Sequence, residues 1–203
     1  ACSALIVVFS LNEFGYDRFH RDCASVFRVL QRNNSDVYSG NRLSNRIPPE
    51  IFSYLKLMPA DSIIVSRVKV MDDLSVVAGS KVLHNQKLHT ADPAITKILS
   101  FDILDGSLDE FNTTEQSIIL SSSMSRRYFG TDHTAGKKLK IYTLGDTLLF
   151  SVAAVYKDYA KNSHEEFNGF MRYDSISIRA LKFNDQDAGV YGKVLHGNKL
   201  QVE

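Results

Sequence analysis

Cysteine, proline and net charge are all scarce in this chain. Its 203 residues hold 2 Cys and 4 Pro, and 24 basic side chains against 23 acidic ones leave a formal charge of +1. So small an excess argues against nucleic acid as the main partner, because such proteins usually carry a basic stripe. The basic residues are scattered; Arg126-Arg127 and Lys137-Lys138 are the neighbouring doublets, and no acidic or basic tail, internal repeat or low-complexity run is present. The stretch between Cys2 and Cys23 reads as helical, and residues so far apart on one helix cannot bridge. Both are read as unpaired structural thiols, which say little about compartment. His20 and Cys23 have a metal-like spacing but no second half, so zinc is not expected.

Long apolar runs are missing as well. Ala1 to Ser10 carries no charge, but a bilayer span needs about 20 apolar residues. The run also lacks the basic start and small-residue cleavage site of an intact signal peptide. The chain does not begin with Met, which suggests a processed or excised piece. Two readings stand at this point: a buried helix or strand of the domain, or the outer end of a transmembrane helix. What remains, 44% hydrophobic and 23% charged residues, is ordinary for a folded domain. The length suffices for one large domain or two small lobes.

The most suggestive motif is a look-alike. Gly130 to Lys138 reads G-T-D-H-T-A-G-K-K, with five residues between Gly130 and Gly136. A phosphate-binding loop needs four, then Lys, then a Ser or Thr hydroxyl for magnesium, and Lys138 stands at that place. The flanks are also reversed. A helical pattern (Met124 to Phe129) precedes the loop and a strand pattern follows, whereas phosphate sits where a strand runs into a helix start. The segment reads as a helix stop followed by a strand start.

Elsewhere the pattern is mixed. Leu5 to His20 reads as a helix and Ser25 to Arg32 as a strand, followed by a loop over Asn33 to Asn45. Pro48-Pro49-Glu50 starts a helix with an apolar face of Ile51, Phe52, Tyr54, Leu55 and Met58, stopped by Pro59. Ser62 to Met71 and Leu74 to Leu83 read as a hairpin about an Asp72-Asp73 turn. Asp92 is a candidate N-cap, with Pro93 in the first helical position, for a helix through Leu99. Phe101 to Gly106 is a short apolar piece. Ile118 to Leu120 is a strand, and Ser121 to Ser123 can cap a helix that ends at Gly130. Strands over Lys137 to Tyr142 and Leu148 to Tyr156 surround a turn at Leu144-Gly145-Asp146. One or two strands are expected beyond Phe167, around Ile176 to Leu181. Helices that interrupt hairpins make the class α+β.

Catalytic chemistry is hard to find. Ser121-Ser122-Ser123 has no Gly-x-Ser-x-Gly around it, so it is no nucleophile elbow. His84 and His89 read as exposed polar strand positions. His133 and His164 could each be a ligand or a base, but neither has a partner at diagnostic spacing, and a hydrogen bond within a turn is the simpler role. The paired acids Asp72-Asp73, Asp109-Glu110 and Glu165-Glu166 read as solvated loop charge.

Four segments in order carry a resemblance. They are Glu13 to His20 with Val26-Phe27-Arg28-Val29; Ala91-Asp92-Pro93 with Leu99-Ser100-Phe101 and Leu104-Asp105-Gly106; Ile118 to Gly130 with Gly136-Lys137; and Phe150-Ser151-Val152 with Val155 to Asp158 and Asn162-Ser163-His164. Together they resemble the extracytoplasmic domain of bacterial ABC transporter permeases of the MacB/FtsX-like type, the Bacteroidetes version in particular. Departures fall at Thr134-Ala135, Ala154 and Ala160, where the family has Pro-Ile, Gly and Pro, and the tail beyond Tyr173 departs most.

The resemblance implies a two-lobed α+β domain. Residues 1–22 would be the outer end of transmembrane helix 1 and its junction. Residues 23–75 with 147–203 would form a porter-like α/β lobe, and 76–146 an inserted β-rich lobe. It implies an inner-membrane permease with this domain in the periplasm. The domain would be non-catalytic, with no cofactor or metal, and would transmit ATP-driven motion of the membrane helices during export. Tyr16, Asp17, Phe19 and His20 would couple helix to domain. Partners would be a cytoplasmic ATPase domain or subunit and a periplasmic adaptor or cargo, with no nucleic acid; the full permease would be dimeric. The alternatives are a secreted metal-dependent hydrolase using His133 or His164, and a stand-alone periplasmic ligand-binding module.

Overall fold

The computed structural model describes residues 22–32, 43–44, 47–59, 62–142, 147–159, 166–172 and 188–195. A 3-10 turn (Cys23–Ser25) leads into β1 (Val26–Val29) and the short pair β2 (Gln31–Arg32) and β3 (Leu43–Ser44). Helix α1 (Pro49–Lys56) follows, then the hairpin β4 (Ile63–Ala78) and β5 (Lys81–Ala91). Next come α2 (Ile95–Ile98), β6 (Ile103–Gly106), α3 (Leu108–Thr113), β7 (Ser117–Ser121) and α4 (Ser122–Phe129). The chain continues through β8 (Lys138–Tyr142), β9 (Thr147–Tyr156), β10 (Gly169–Arg172) and β11 (Gly189–Val194). The result is a strand-rich α+β fold with few helices.

Two long strands organise it. Along one edge, β4 pairs with β11 over Ile63–Val68 and then with β8 over Ser75–Ala78, while β5 lies along the other edge. Strand β9 divides its partners in the same way: β8 takes Thr147–Ser151, β6 takes Ala154–Tyr156, and β7 runs parallel on the far side. Strand β10 joins β5 (parallel) to β7 (antiparallel). The order β4-β5-β10-β7-β9-β8 therefore returns to β4 as a six-stranded ring, with β11 and β1 extending from one long strand and β6 from the other. Closure gives each of these six strands at least two hydrogen-bonded neighbours, with three each for β4 and β9, and reduces the free edge that would otherwise attract foreign strands.

Packing follows the alternation of side chains along the strands. All six ring strands contribute to one core, with Val76, Leu88, Ile118, Ile141, Phe150 and Met171 among its members, and α4 adds Met124 and Tyr128. A second core lies under α2 and α3 around Ile95, Phe111, Ile119, Tyr156, Phe167 and Phe170. A third sets Phe52 of α1 against Ile47, Ile63, Val65 and Val190.

Three expectations need correction. Asp72-Asp73 is no turn: β4 runs through it, and the ladder to β5 shifts between Met71 and Leu74 with Asp73 at φ 58°. An extra residue with φ > 0 is the signature of a bulge. The reversal is the two-residue Gly79-Ser80 loop, where Gly79 has φ 60°, as a type II′ turn requires. Helix α1 forms where expected, but Phe52 alone of the expected apolar face is buried and Leu55 is partly so. Ile51, Tyr54 and Met58 are exposed. Asp92 does not cap α2; its carboxylate is turned back onto β4. The expected helix over Leu5 to His20, the 144–146 turn and the strand near Ile176 to Leu181 lie outside the described residues.

Candidate functional site

The glycine loop is a structural clasp. Ser121 Oγ caps α4 by accepting from Met124 N (3.3 Å), and Gly130 ends the helix in the left-handed conformation, φ 80°. Ser123 donates from its amide (3.0 Å) and its hydroxyl (2.6 Å) to the Asp158 carboxylate. That places a negative charge at the helix start, where the macrodipole favours it. Asp132 accepts from Ser122 Oγ (2.8 Å) and from both Nε (2.9 Å) and Nη2 of Arg126. These bonds, with that from Arg126 first, hold its carboxyl below the usual carboxylate range.

Beyond Asp132, Ser125 Oγ and Thr134 Oγ1 meet at 2.7 Å, and Ala135 N donates to Asp105 Oδ2 (2.8 Å). Asp105 is likewise held low, chiefly by the Ala135 amide. Gly136 N and Val152 N then exchange backbone bonds with Val152 and Lys137 carbonyls (2.8 Å each), which starts β8. Loop amides that a phosphate would need are thus directed at protein oxygens. Residues from three of the four resembling segments, Asp105, Ser121 to Gly136 and Val152 to Asp158, converge on this clasp.

The histidines separate. His133 is exposed, with Nδ1 3.7 Å from Asp105 Oδ1 and its amide on Thr131 Oγ1 (3.2 Å). His84 is exposed, with Nδ1 2.9 Å from Ser75 Oγ. His89, expected on the surface, is instead 1% exposed. Its ring packs against Phe167 (5.0 Å between centroids) and Phe170 (5.6 Å), and neither nitrogen has a hydrogen-bond partner among the described residues. Burial, reinforced by the Lys87 charge, lowers its pKa to about 4. The alternation along β5 that exposes Lys87 carries His89 under the cover of the second core, which sequence periodicity alone did not reveal.

Among the paired acids, Asp72-Asp73 is exposed at the bulge and Asp109-Glu110 occupies the first turn of α3. Cys23 is a free, exposed thiol. Tyr16, Asp17, Phe19, His20, His164 and Glu165 lie outside the described residues. Among the described residues no three His, Cys, Asp or Glu side chains converge as a metal site, and no helix is long and apolar enough to cross a membrane.

Sequence reasoning also missed a sizeable concavity among the described residues. An open cleft of about 700 Å³ lies between α1, the start of β4 and the α2–α3 region, within the range of small-ligand and peptide pockets. Its apolar lining includes Leu55, Met58, Ile63 and Pro93, and Lys56 and Lys97 stand on it. Behind it, the Lys56 ammonium (5.0 Å) and the Arg67 guanidinium (4.7 Å) both lie over the Phe52 ring. Arg67 is fixed by Asp92 through Nε–Oδ2 (3.0 Å) and Nη2–Oδ1 (2.8 Å), a bidentate pair. Tyr54 of α1, with Leu57 and Met58 just beyond its end, was the available signal: a helical segment whose apolar residues exceed what one buried face can use.

No family model matches the chain, and no curated protein does. Solved structures do. The periplasmic region of MacB from Actinobacillus actinomycetemcomitans superposes with a TM-score of 0.62 at 12% identity, covering 87% of this chain and 77% of that one. A domain assigned to a permease protein of Porphyromonas gingivalis gives 0.56 at 16% identity, over 72% and 68%. The extracellular domain of the ABC-type transporter YknZ from Gram-positive bacteria gives 0.53 at 14%, over 85% and 83%. This is the MacB-like periplasmic-domain fold. At such identities the likeness is one of architecture.

Proposed function

We propose that the chain is the extracytoplasmic domain of an ABC transporter permease. It would be non-catalytic, passing ATP-driven motion of the membrane helices to a periplasmic partner or cargo during export. The observation that carries this reading is the MacB-like fold, shared over 85–87% of the chain with the domains of MacB and YknZ. The physical fit is good. A lever needs a stiff body, and β4 and β9 supply one by each running through both ends of a closed ring. The porter-like and inserted lobes, divided near Ser75/Val76 and Asp146/Thr147, would be joined by β4, which crosses the first boundary, and by the ladders from β9 to β6, β7 and β8.

In this reading the domain faces the periplasm, and a cytoplasmic ATPase domain or subunit works through the membrane part of a dimeric permease. Tyr16, Asp17, Phe19 and His20 form the junction to the first membrane helix. The test is made in the full transporter. Tyr16→Ala and Phe19→Ala should leave the protein in the membrane and its ATPase active while export falls. Export and ATPase coupling that stay at the parental level in both variants would sink the junction role.

A further inference from the structure

Strand β4 is longer than the strand beside it. β5 ends at Ala91 opposite Val68, and Asp92 closes the ladder: its amide donates to Arg67 O (3.3 Å), and its carboxylate accepts from Arg67 N (2.9 Å). Pro93 then leads the chain away into α2, having no N–H with which to continue a strand. Yet β4 extends a further four residues upstream of Arg67, to Ile63, held on its opposite edge by β11.

The peptide groups of a strand point alternately to its two sides. Arg67 N and O point toward Asp92, so those of Val65 and Ile63 point the same way, and those of Ser66 and Ile64 toward β11. Ser62 agrees with this phase, since its carbonyl accepts from Leu195 N at 2.9 Å on the β11 side. The N–H and C=O of both Val65 and Ile63 have no partner among the described residues. They open onto the 700 Å³ cleft, where Ile63, Ile64 and Val65 lie opposite Pro93 and Ala94. Unpaired strand edges are templates for another strand, and an edge inside an apolar cleft is a directed one.

The charges on the cleft have a sign. Lys56 and Lys97 stand on the rim without an ion pair among the described residues, against the single acid Asp109.

We propose that this edge is a docking slot for an extended peptide of a partner protein, apolar in its centre and acidic at its flanks. The peptide adds a strand beside Ile63–Val65 in line with β5. Two N–H and two C=O groups give it register, the cleft walls take its alternate side chains, and the lysines select its ends. The inference stands on the sheet edge and needs no transport role.

The test uses the 203-residue chain and a blocked heptapeptide, Glu-Val-Thr-Val-Thr-Val-Glu, titrated by calorimetry and by amide NMR. Binding is expected, with shifts centred on Ile63, Val65, Lys56 and Lys97. A copy N-methylated at alternate residues, which keeps the side chains but loses the strand hydrogen bonds, should bind on the order of tenfold more weakly. Lys56→Glu with Lys97→Glu should reverse the preference toward a Lys-ended peptide; both sites are exposed, so the fold survives. Equal binding of the N-methylated peptide, or no binding of any peptide, overturns the proposal. So does strong exchange protection of the Ile63 and Val65 amides in the free chain, which would mean that a segment of the same chain already holds the edge. None of these results bears on the Tyr16 and Phe19 export assay, so the two readings fail separately.

Discussion

Folding favours the neutral form of His89, a buried imidazole whose two nitrogens have no hydrogen-bond partner among the described residues. His89 is free to protonate in the unfolded chain with an ordinary pKa near 6.5, but in the folded state its pKa is lowered to about 4 by burial and by Lys87. Between these values the unfolded chain binds the extra proton, so stability rises with pH there. It is complete above about 6.5 and drains away as pH falls toward 4. The interval corresponds to about 3 kcal/mol. Thermal melts taken from pH 7.5 down to 4 should therefore lose stability steeply, and His89→Phe, set among Phe167 and Phe170, should flatten that slope. An identical slope in the variant would place the titration elsewhere.

Two glycines make a second contrast at the residue scale. A Cβ at Gly106 would sit 2.1 Å from the Ala153 carbonyl oxygen, on a backbone with φ 77°. At Gly130 the φ is 80° but nothing lies within 4 Å. Gly130→Ala should cost about 1 kcal/mol for the left-handed backbone alone. Gly106→Ala should cost clearly more, because the clash is with main chain that cannot rotate away. Urea denaturation of the two variants side by side gives the comparison.

At the scale of elements, what could be read from sequence was local chemistry. Ser121 as cap, Gly130 as stop and the reversed helix–strand order around the glycine loop are short-range rules, and the structure follows each of them. Added magnesium and ATP should accordingly leave the melting temperature unchanged, because the amides of the loop are already bonded. A ligand-induced rise would contradict the clasp.

What could not be read depended on partners distant in sequence. Asp72-Asp73 carries turn chemistry, yet β5 and β8 on either side keep β4 extended and convert the pair into a bulge. Asp92 has N-cap chemistry, yet Arg67, 25 residues earlier, offers it three donors. His89 and the cleft were invisible for the same reason: α2 and α3 decide which outward faces are covered. Asp92→Ala would strip Arg67 of a half-buried, charge-assisted pair and unseat the end of β5, at a cost of about 2–3 kcal/mol. Asp92→Asn, which keeps one acceptor oxygen, should lose less. Chemical denaturation of both variants checks the order.

For the whole molecule, the ring turns local packing into shared stability. Phe150 is buried at 2% exposure in the core that all six ring strands line, whereas Tyr54 is 78% exposed on α1. Phe150→Ala should cost about 3–5 kcal/mol, while Tyr54→Ala should stay within about 0.5 kcal/mol. Of the boundaries expected from the resemblance, Ser75/Val76 falls inside β4, and Asp146/Thr147 separates β9 from its partners β6, β7 and β8, so neither part can melt without breaking ladders of the other. Strand β4 carries β11 at one end and β8 at the other, and β9 carries β8 and then β6. Unfolding should then be one transition, with backbone circular dichroism and tyrosine absorbance changing together. Hydrogen exchange should be slowest in β7, β9 and β10, which lie inside the sheet, and fastest in the edge strands β1 and β6. Two separated transitions would mean that the ring closes too weakly to bind its strands into one cooperative unit, and Phe150→Ala would then shift only one of them.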